Sequence, residues 1–179
     1  MGKIKRIVLD MDGVLAAFRQ GVLSWLDLEL DCLGEEGRKV FRFFPYLPER
    51  KQRFLRCCVL NNEDFWATLP EYPWTTELYG LCTSLAKTCI VTKPWKAAGC
   101  YSGKYRWIMD RFGEVDHMIC EADKSWFDDG ETLIIDDKES NLEKFQHSFL
   151  WPMEWNDGRN LTANKVELFL KESKIKGWF

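Results

Sequence analysis

Ile7-Val8-Leu9-Asp10-Met11-Asp12-Gly13-Val14 is an apolar run that breaks into two acids and a glycine. A run without polar alternation reads as a strand buried on both faces, as strands of parallel sheets are. Two acids spaced by one residue at the strand exit can point the same way, and Gly13 lets the chain turn behind them. Further along, Leu133-Ile134-Ile135-Asp136-Asp137 repeats the arrangement.

Working outward, five runs read as buried strands: Ile4–Leu9, Cys89–Thr92, His117–Cys120, Thr132–Ile135 and Ser148–Trp151. Between and after them, apolar residues at helical spacing predict helices over Thr75–Ala86, Gly103–Phe112, Lys138–Gln146 and Asn164–Lys171. Strand alternating with helix from Thr75 onward predicts an α/β fold, a Rossmann-like parallel sheet of about five strands flanked by helices. The stretch from about Phe18 to Trp74 differs. It is rich in Leu, Phe, Trp, Arg and Glu, is broken by Pro45, Pro48, Pro70 and Pro73, and reads as a mainly helical insertion after the first strand.

The bulk properties narrow the function classes. With 46% hydrophobic and 15% aromatic residues in 179, the chain has ample material for a packed core. Its 25 basic and 28 acidic residues give a formal net charge of -3, which is not the footprint of an extended nucleic-acid surface. Seven cysteines cannot all pair with one another, and no CxxC spacing marks a zinc site, so reduced and mostly buried thiols are expected. The first apolar run meets acids too soon for a signal sequence, and no stretch is long enough to span a bilayer. A soluble, cytoplasmic protein without a membrane partner is the expectation.

Ligands of open parallel sheets sit beyond the carboxyl ends of the strands. The candidate chemistry falls there: Asp10 and Asp12 after the first run, Thr92 at the end of the second, Asp136 and Asp137 after the fourth. Asp10 is placed to attack phosphorus, and Asp12 to donate a proton to a leaving oxygen and then activate water. Taken alone, Asp-x-Asp-Gly is equally a solvated strand end with an Asx turn. The second acidic pair shifts the balance. Gathering these carboxylates at one sheet edge costs several kcal/mol, on the order of a low-dielectric Coulomb repulsion, unless a cation joins them. A hard divalent ion such as Mg²⁺ answers that need at a phosphate site. Thr92 offers a hydroxyl to a phosphate oxygen, with a turn or cap role as its alternative. Lys124, twelve residues before Asp136, is placed to offset the charge of a phosphate and of Asp10.

These residues resemble the four motifs of the haloacid dehalogenase superfamily of phosphatases: Asp10-Met11-Asp12-Gly13-Val14, Thr92, Lys124 and Asp136-Asp137. Within it the chain looks like the 5'(3')-deoxyribonucleotidases. That resemblance rests on Asp10 to Ala16 with Phe18 and Gly21, on Gly103-Lys104-Tyr105-Arg106-Trp107 leading to Phe112-Gly113, on Asp123-Lys124, and on Leu133 to Lys138.

The resemblance implies a catalytic core of residues 1–17 and 75–179 under a helical cap of residues 18–74. It implies an aspartyl phosphate on Asp10, with Asp12 as acid and base. Mg²⁺ would be held by Asp10, the backbone carbonyl of Asp12, and Asp136, with Asp137 acting through bound water. Thr92 and Lys124 would bind phosphate, and Phe18 would line a nucleotide pocket. Lys104 is a further candidate for the phosphate, with an exposed helix lysine as its alternative.

Two departures stand out. Thr92-Lys93-Pro94 replaces the family's Thr-Ser-Pro, and Ala17 replaces an acid before Phe18. Phe54, Phe65 and Trp66 are candidates for stacking on a base, with core packing as the alternative for each. The aromatic residues near the carboxyl end, Trp151, Trp155, Trp178 and Phe179, are expected to pack on the domain, since Trp151 ends the last run, with contact to a partner as the alternative.

The expected partner is a small phosphomonoester, first of all a nucleoside monophosphate, and a homodimer is left open. The alternatives are another phosphorylated metabolite, a nucleic-acid end, phosphoryl transfer to an acceptor other than water, and a nucleotide-binding module without catalysis. A dehalogenase fits the second acid pair less well.

Overall fold

Strands β1 (Arg6–Leu9), β2 (Lys87–Thr92), β3 (His117–Ile119), β4 (Thr132–Asp136) and β5 (His147–Leu150) form one sheet in the order β3-β2-β1-β4-β5. Every neighbouring pair is parallel. The computed structural model describes residues 4–156 and 164–179. Pairing register fixes what emerges from the edge: Leu9 lies opposite Ile90 on one side and Ile135 on the other. Asp10 therefore emerges beside Asp136, and its N–H still bonds the Ile135 carbonyl at 3.0 Å. The chain order brings residues 10, 92 and 136 to one edge because β1 lies between β2 and β4.

Side chains alternate across the sheet as strand geometry requires. Ile7, Leu9, Ile90, Leu133, Ile135 and Phe149 join the larger apolar cluster, whereas Val8, Val91 and Ile134 join a smaller one with Leu142 and Phe145. Both faces are buried, but unequally. Helices α5 (Thr75–Leu85), α6 (Ala98–Phe112) and α8 (Lys165–Lys176) all contribute to the larger cluster. The other face is covered mainly by the one-turn helix α7 (Glu139–Leu142) and the segment around Phe127. The expected helix over Lys138–Gln146 is thus a single turn. Its register is spent on Asp136, whose Oδ1 accepts from the Lys138 N–H, and the chain must then turn back to start β5 at His147.

Residues 18–74 contain α1 (Phe18–Trp25), α2 (Gly34–Arg38), α3 (Glu49–Phe54) and α4 (Glu63–Ala67), with short 3₁₀ turns and a π-helical turn over Leu55–Val59. No named strand occurs in this insertion, and its two ends are tied together. The Ala17 N–H donates to the Pro70 carbonyl and the Tyr72 N–H to that of Leu15. The Thr75 hydroxyl also reaches Leu15 O, and the Trp74 indole reaches Val14 O.

Helix α6 starts five residues before the expected Gly103. Gly99 and Gly103, one helical turn apart, explain both the missed start and the close packing. A Cβ on Gly99 would sit 2.3 Å from Asn61 O, and one on Gly103 would sit 2.4 Å from Glu63 O. The contact with α4 is therefore made by backbone, and no apolar periodicity announces it. Helix α8 opens on Asn164, whose side chain accepts from the Val166 and Glu167 N–H groups, and closes at Gly177 in the left-handed region.

All seven thiols are free. Only Cys82 and Cys100 are fully buried, while Cys57 and Cys58 are exposed, so the expectation of mostly buried thiols is corrected. Both exposed residues lie in the π-helical turn, whose buried positions are Leu55 and Val59. Among the described residues, no helix is long and apolar enough to cross a membrane.

Candidate metal and phosphate site

The ends of β1 and β4 place Asp10, Asp136 and Asp137 together, all three buried, with ligand oxygens within 4.8 Å of one another. Lys124 closes the cluster from the 3₁₀ turn Lys124–Phe127. Its Nζ donates to Asp10 Oδ1 at 2.6 Å and to Asp136 Oδ2 at 2.7 Å. Asn141 adds its amide to both oxygens of Asp136.

Three carboxylates facing one ammonium leave an excess of two negative charges in a buried setting. The acids carry that imbalance. Burial, and then the neighbouring Asp136, push Asp10 up to about 7 against the pull of Lys124. Burial and the charges of Asp10 and Asp136 hold Asp137 well above the usual carboxylate range. Burial alone would lower Lys124, but the two carboxylates it touches outweigh it and raise it above the ordinary lysine value.

The donor set fits a hard divalent ion. It consists of carboxylate oxygens with no nitrogen or sulfur ligand in the cluster, the preference of Mg²⁺ or Ca²⁺ rather than of softer metals. Asp137 Oδ1 is buried and has no hydrogen-bond partner among the described residues, although a buried acceptor ordinarily has one. Its other oxygen, Oδ2, accepts from the Trp155 indole at 2.8 Å. Gly13 is what permits this crowding: at φ +86° a Cβ there would lie 2.2 Å from Asp137 Oδ2.

Asp12 belongs to a second ion pair. Lys104 is fully buried on α6, and its Nζ donates to Asp12 Oδ2, to Thr92 Oγ1 at 2.7 Å and to the Lys93 carbonyl at 3.2 Å. The same ammonium lies 5.0 Å from the centre of the Trp66 ring. Lys104 is therefore not an exposed helix lysine. The glycine contact between α6 and α4 draws its backbone inward, and its charge is spent joining Asp12 to Thr92. Asp12 Oδ1 is buried and has no hydrogen-bond partner.

A cavity of about 480 Å³ adjoins the acidic cluster through Asp137 and is lined beside it by Asp12 and Gly13. Phe18, Phe43, Phe44 and Trp155 supply much of its apolar lining, and Arg42 and Arg56 add charge. Phe18 stacks on Trp66 at 5.4 Å with the ring planes 11° apart. Trp66 and Phe65 are buried in the core and do not line the cavity, and Phe54 is largely exposed away from it. A separate polar cleft is lined by Thr92, Lys93, Lys124 and Asn141.

No family model matches the chain, and no curated protein matches it. The structure brings together Asp10, Asp12, Thr92, Lys104, Lys124, Asp136 and Asp137, and sets Phe18 in the adjoining cavity. The sequence alone does not point to Asn141, Arg19 or the pair Trp155-Asn156 as site residues, and for Trp155 it favours packing over contact with a partner. A topological signal for the pair existed: the loop after a strand adjoining β4 must emerge beside Asp137.

Proposed function

We propose that the chain is a magnesium-dependent phosphomonoesterase acting on nucleoside monophosphates through an aspartyl phosphate, as the resemblance to 5'(3')-deoxyribonucleotidases implies. One observation carries the reading: three buried carboxylates converge with a single lysine, leaving two negative charges and all-oxygen ligation. Asp10 and Asp136 would hold the ion directly, Asp137 would support it, and Asp12 would add its backbone carbonyl. The ion supplies charge neutralisation for the phosphoryl oxygens and for the acids around them.

On this reading residues 1–17 and 75–179 form the catalytic core and residues 18–74 a cap. The nucleoside occupies the aromatic cavity, where Phe18 and Phe44 pack against it. Asp10 attacks phosphorus in line, and the bond to the leaving oxygen breaks as Asp12 delivers a proton to that oxygen. Lys124 holds Asp10 in position and balances charge on the phosphoryl group. In the second half, Asp12 takes a proton from water, the water oxygen bonds to phosphorus, and the acyl phosphate opens to regenerate Asp10. Lys104 holds the Asp12 carboxylate through its ammonium, and an arriving phosphate would draw that ammonium away and leave Asp12 free to act on the leaving oxygen.

The test is phosphate release from a panel of nucleoside monophosphates in Mg²⁺, in EDTA and with Asp10→Asn. Turnover in magnesium that disappears in the other two conditions is expected. Turnover unchanged in both sinks the proposal.

A second reading keeps the reaction and changes the substrate. Lys93 stands exposed in the polar cleft, and Arg42 and Arg56 line the cavity, charges that favour a substrate with more than one anionic group or a phosphorylated nucleic-acid end. Preferred cleavage of such compounds over simple monophosphates supports it.

A further inference from the structure

The loop after β5 grips Asp137 at both ends of the residue. Trp155 donates its indole N–H to the carboxylate oxygen Oδ2 at 2.8 Å, while Asn156 donates its amide to the backbone carbonyl of the same residue at 2.7 Å. The grip is itself anchored. The Asn156 amide also reaches Trp151 O at 2.8 Å, and its oxygen accepts from the Met153 N–H at 2.8 Å. Trp151 continues the pairing of β5 with β4 through its N–H to Asp136 O at 2.9 Å. Two consecutive side chains are thus fastened to the strand end that carries both acids.

The indole ring is held as firmly as its nitrogen. The Arg19 guanidinium lies 4.3 Å from the Trp155 ring centre and 5.0 Å from that of Phe43. Arg19 is buried and donates to Arg38 O at 2.7 Å and Val40 O at 2.6 Å. Gly13 lies against the same oxygen that the indole holds. An aspartate side chain otherwise has two soft torsions, so the indole and Gly13, both against Oδ2, decide which oxygen is left over. That oxygen is Oδ1, buried and without a donor.

We infer that Trp155 and Asn156 are positioning residues for the cation site, setting Asp137 so that Oδ1 alone is offered to a magnesium ion or to its bound water. The inference rests on the magnesium site proposed above, and it adds that the ion's affinity depends on one indole hydrogen bond. Partners behind a metal ligand are worth about 10–100-fold in metal affinity. Arg19 and Phe43 tie the same ring to the wall of the aromatic cavity, so the ligand and the wall share one support.

The experiment measures Mg²⁺ affinity by titration calorimetry, independently of turnover, on the full chain and on Trp155→Phe, which keeps a ring for Arg19 and deletes the donor. Affinity is expected to fall about 10–100-fold, with little change in the melting of the metal-free protein. Trp155→His places an N–H at a similar reach and is expected to recover much of the loss. In an Asp137→Asn background, Trp155→Phe is expected to change affinity no further.

Parent-like affinity in Trp155→Phe overturns the inference, as does an equal loss in the Asp137→Asn background. Should Trp155→Phe not fold, Trp155→His decides alone: affinity within a few-fold of the parent supports the inference, and a full loss overturns it. A parent chain that binds no magnesium removes the clamp together with the metal. A parent that binds magnesium but cleaves no phosphomonoester removes the phosphatase reading and leaves the clamp standing.

Discussion

Replacing Lys124 by methionine tests the charge balance of the site more directly than any change to the acids. The ammonium is 8% exposed and is shared between Asp10 and Asp136 at 2.6 and 2.7 Å. Methionine keeps most of the volume and removes the only cation among the described residues that touches those two carboxylates. Breaking one side of a buried ion pair costs about 3–5 kcal/mol, because the partner charge stays buried and uncompensated. For a chain of this length each kcal/mol moves the melting temperature by about 2–4 °C, so a drop of about 6–20 °C is expected in EDTA. On the proposed reading magnesium would occupy the same negative space, and at a hundredfold excess over its dissociation constant it would return about 2.7 kcal/mol. Differential scanning calorimetry of parent and variant, each with EDTA and with magnesium, reads all four values. A variant that melts within about 2 °C of the parent in EDTA refutes the charge argument. Magnesium that raises neither melting temperature refutes the cation site.

The metal-free parent is expected to lose stability as pH rises. Asp10 is raised to about 7 in the folded chain, so its contribution is fully present below the unfolded value near 4 and is lost as pH passes through 7. Melting temperatures in EDTA should fall between about pH 4 and pH 7, and magnesium should flatten the decline; a rise over that range contradicts it. Gly13→Ala puts a Cβ against Asp137 at a backbone angle that L-residues avoid. The strained backbone alone costs about 1–2 kcal/mol, and the displaced carboxylate should move the magnesium titration to higher concentration. Lys104→Met is expected to cost less than Lys124→Met, about 1–3 kcal/mol, because the Asp12 side chain is 28% exposed and water can replace part of the pairing. Its kcat should fall further than its melting temperature implies, which parallel kinetics and calorimetry will show.

How much was legible follows from which forces act locally. The strands could be read because residues such as Ile7, Leu9, Leu133 and Ile135 are buried whatever covers them, and a parallel sheet needs near-continuous apolar runs. The acids could be read because they terminate those runs, and strand order alone brings them to one edge. Lys104 could be named but not placed. Its burial depends on Gly99 and Gly103 docking against α4, a contact made by absent side chains. Trp155 looked like another core aromatic, since nothing adjacent in sequence announces that its nitrogen meets residue 137. Helix α7 was overestimated because Leu142 and Phe145 keep helical spacing and both are buried, yet the helix stops at Leu142 and the Gln146 N–H goes to Asp128 Oδ2 at 3.0 Å instead of continuing it.

The bonds that fasten residues 14–17 to 70–75 have a consequence for how such a molecule can change. They make the excursion of more than fifty residues a loop whose feet are pinned side by side, just downstream of Asp12. Lengthening a loop with fixed ends adds only about 0.6 kcal/mol per doubling. Insertions and rearrangements above the feet are therefore thermodynamically cheap, provided the backbone seat for Gly99 and Gly103 and the Arg19 stack are kept. The segment above the feet is free to diverge while the sheet edge beneath it holds still.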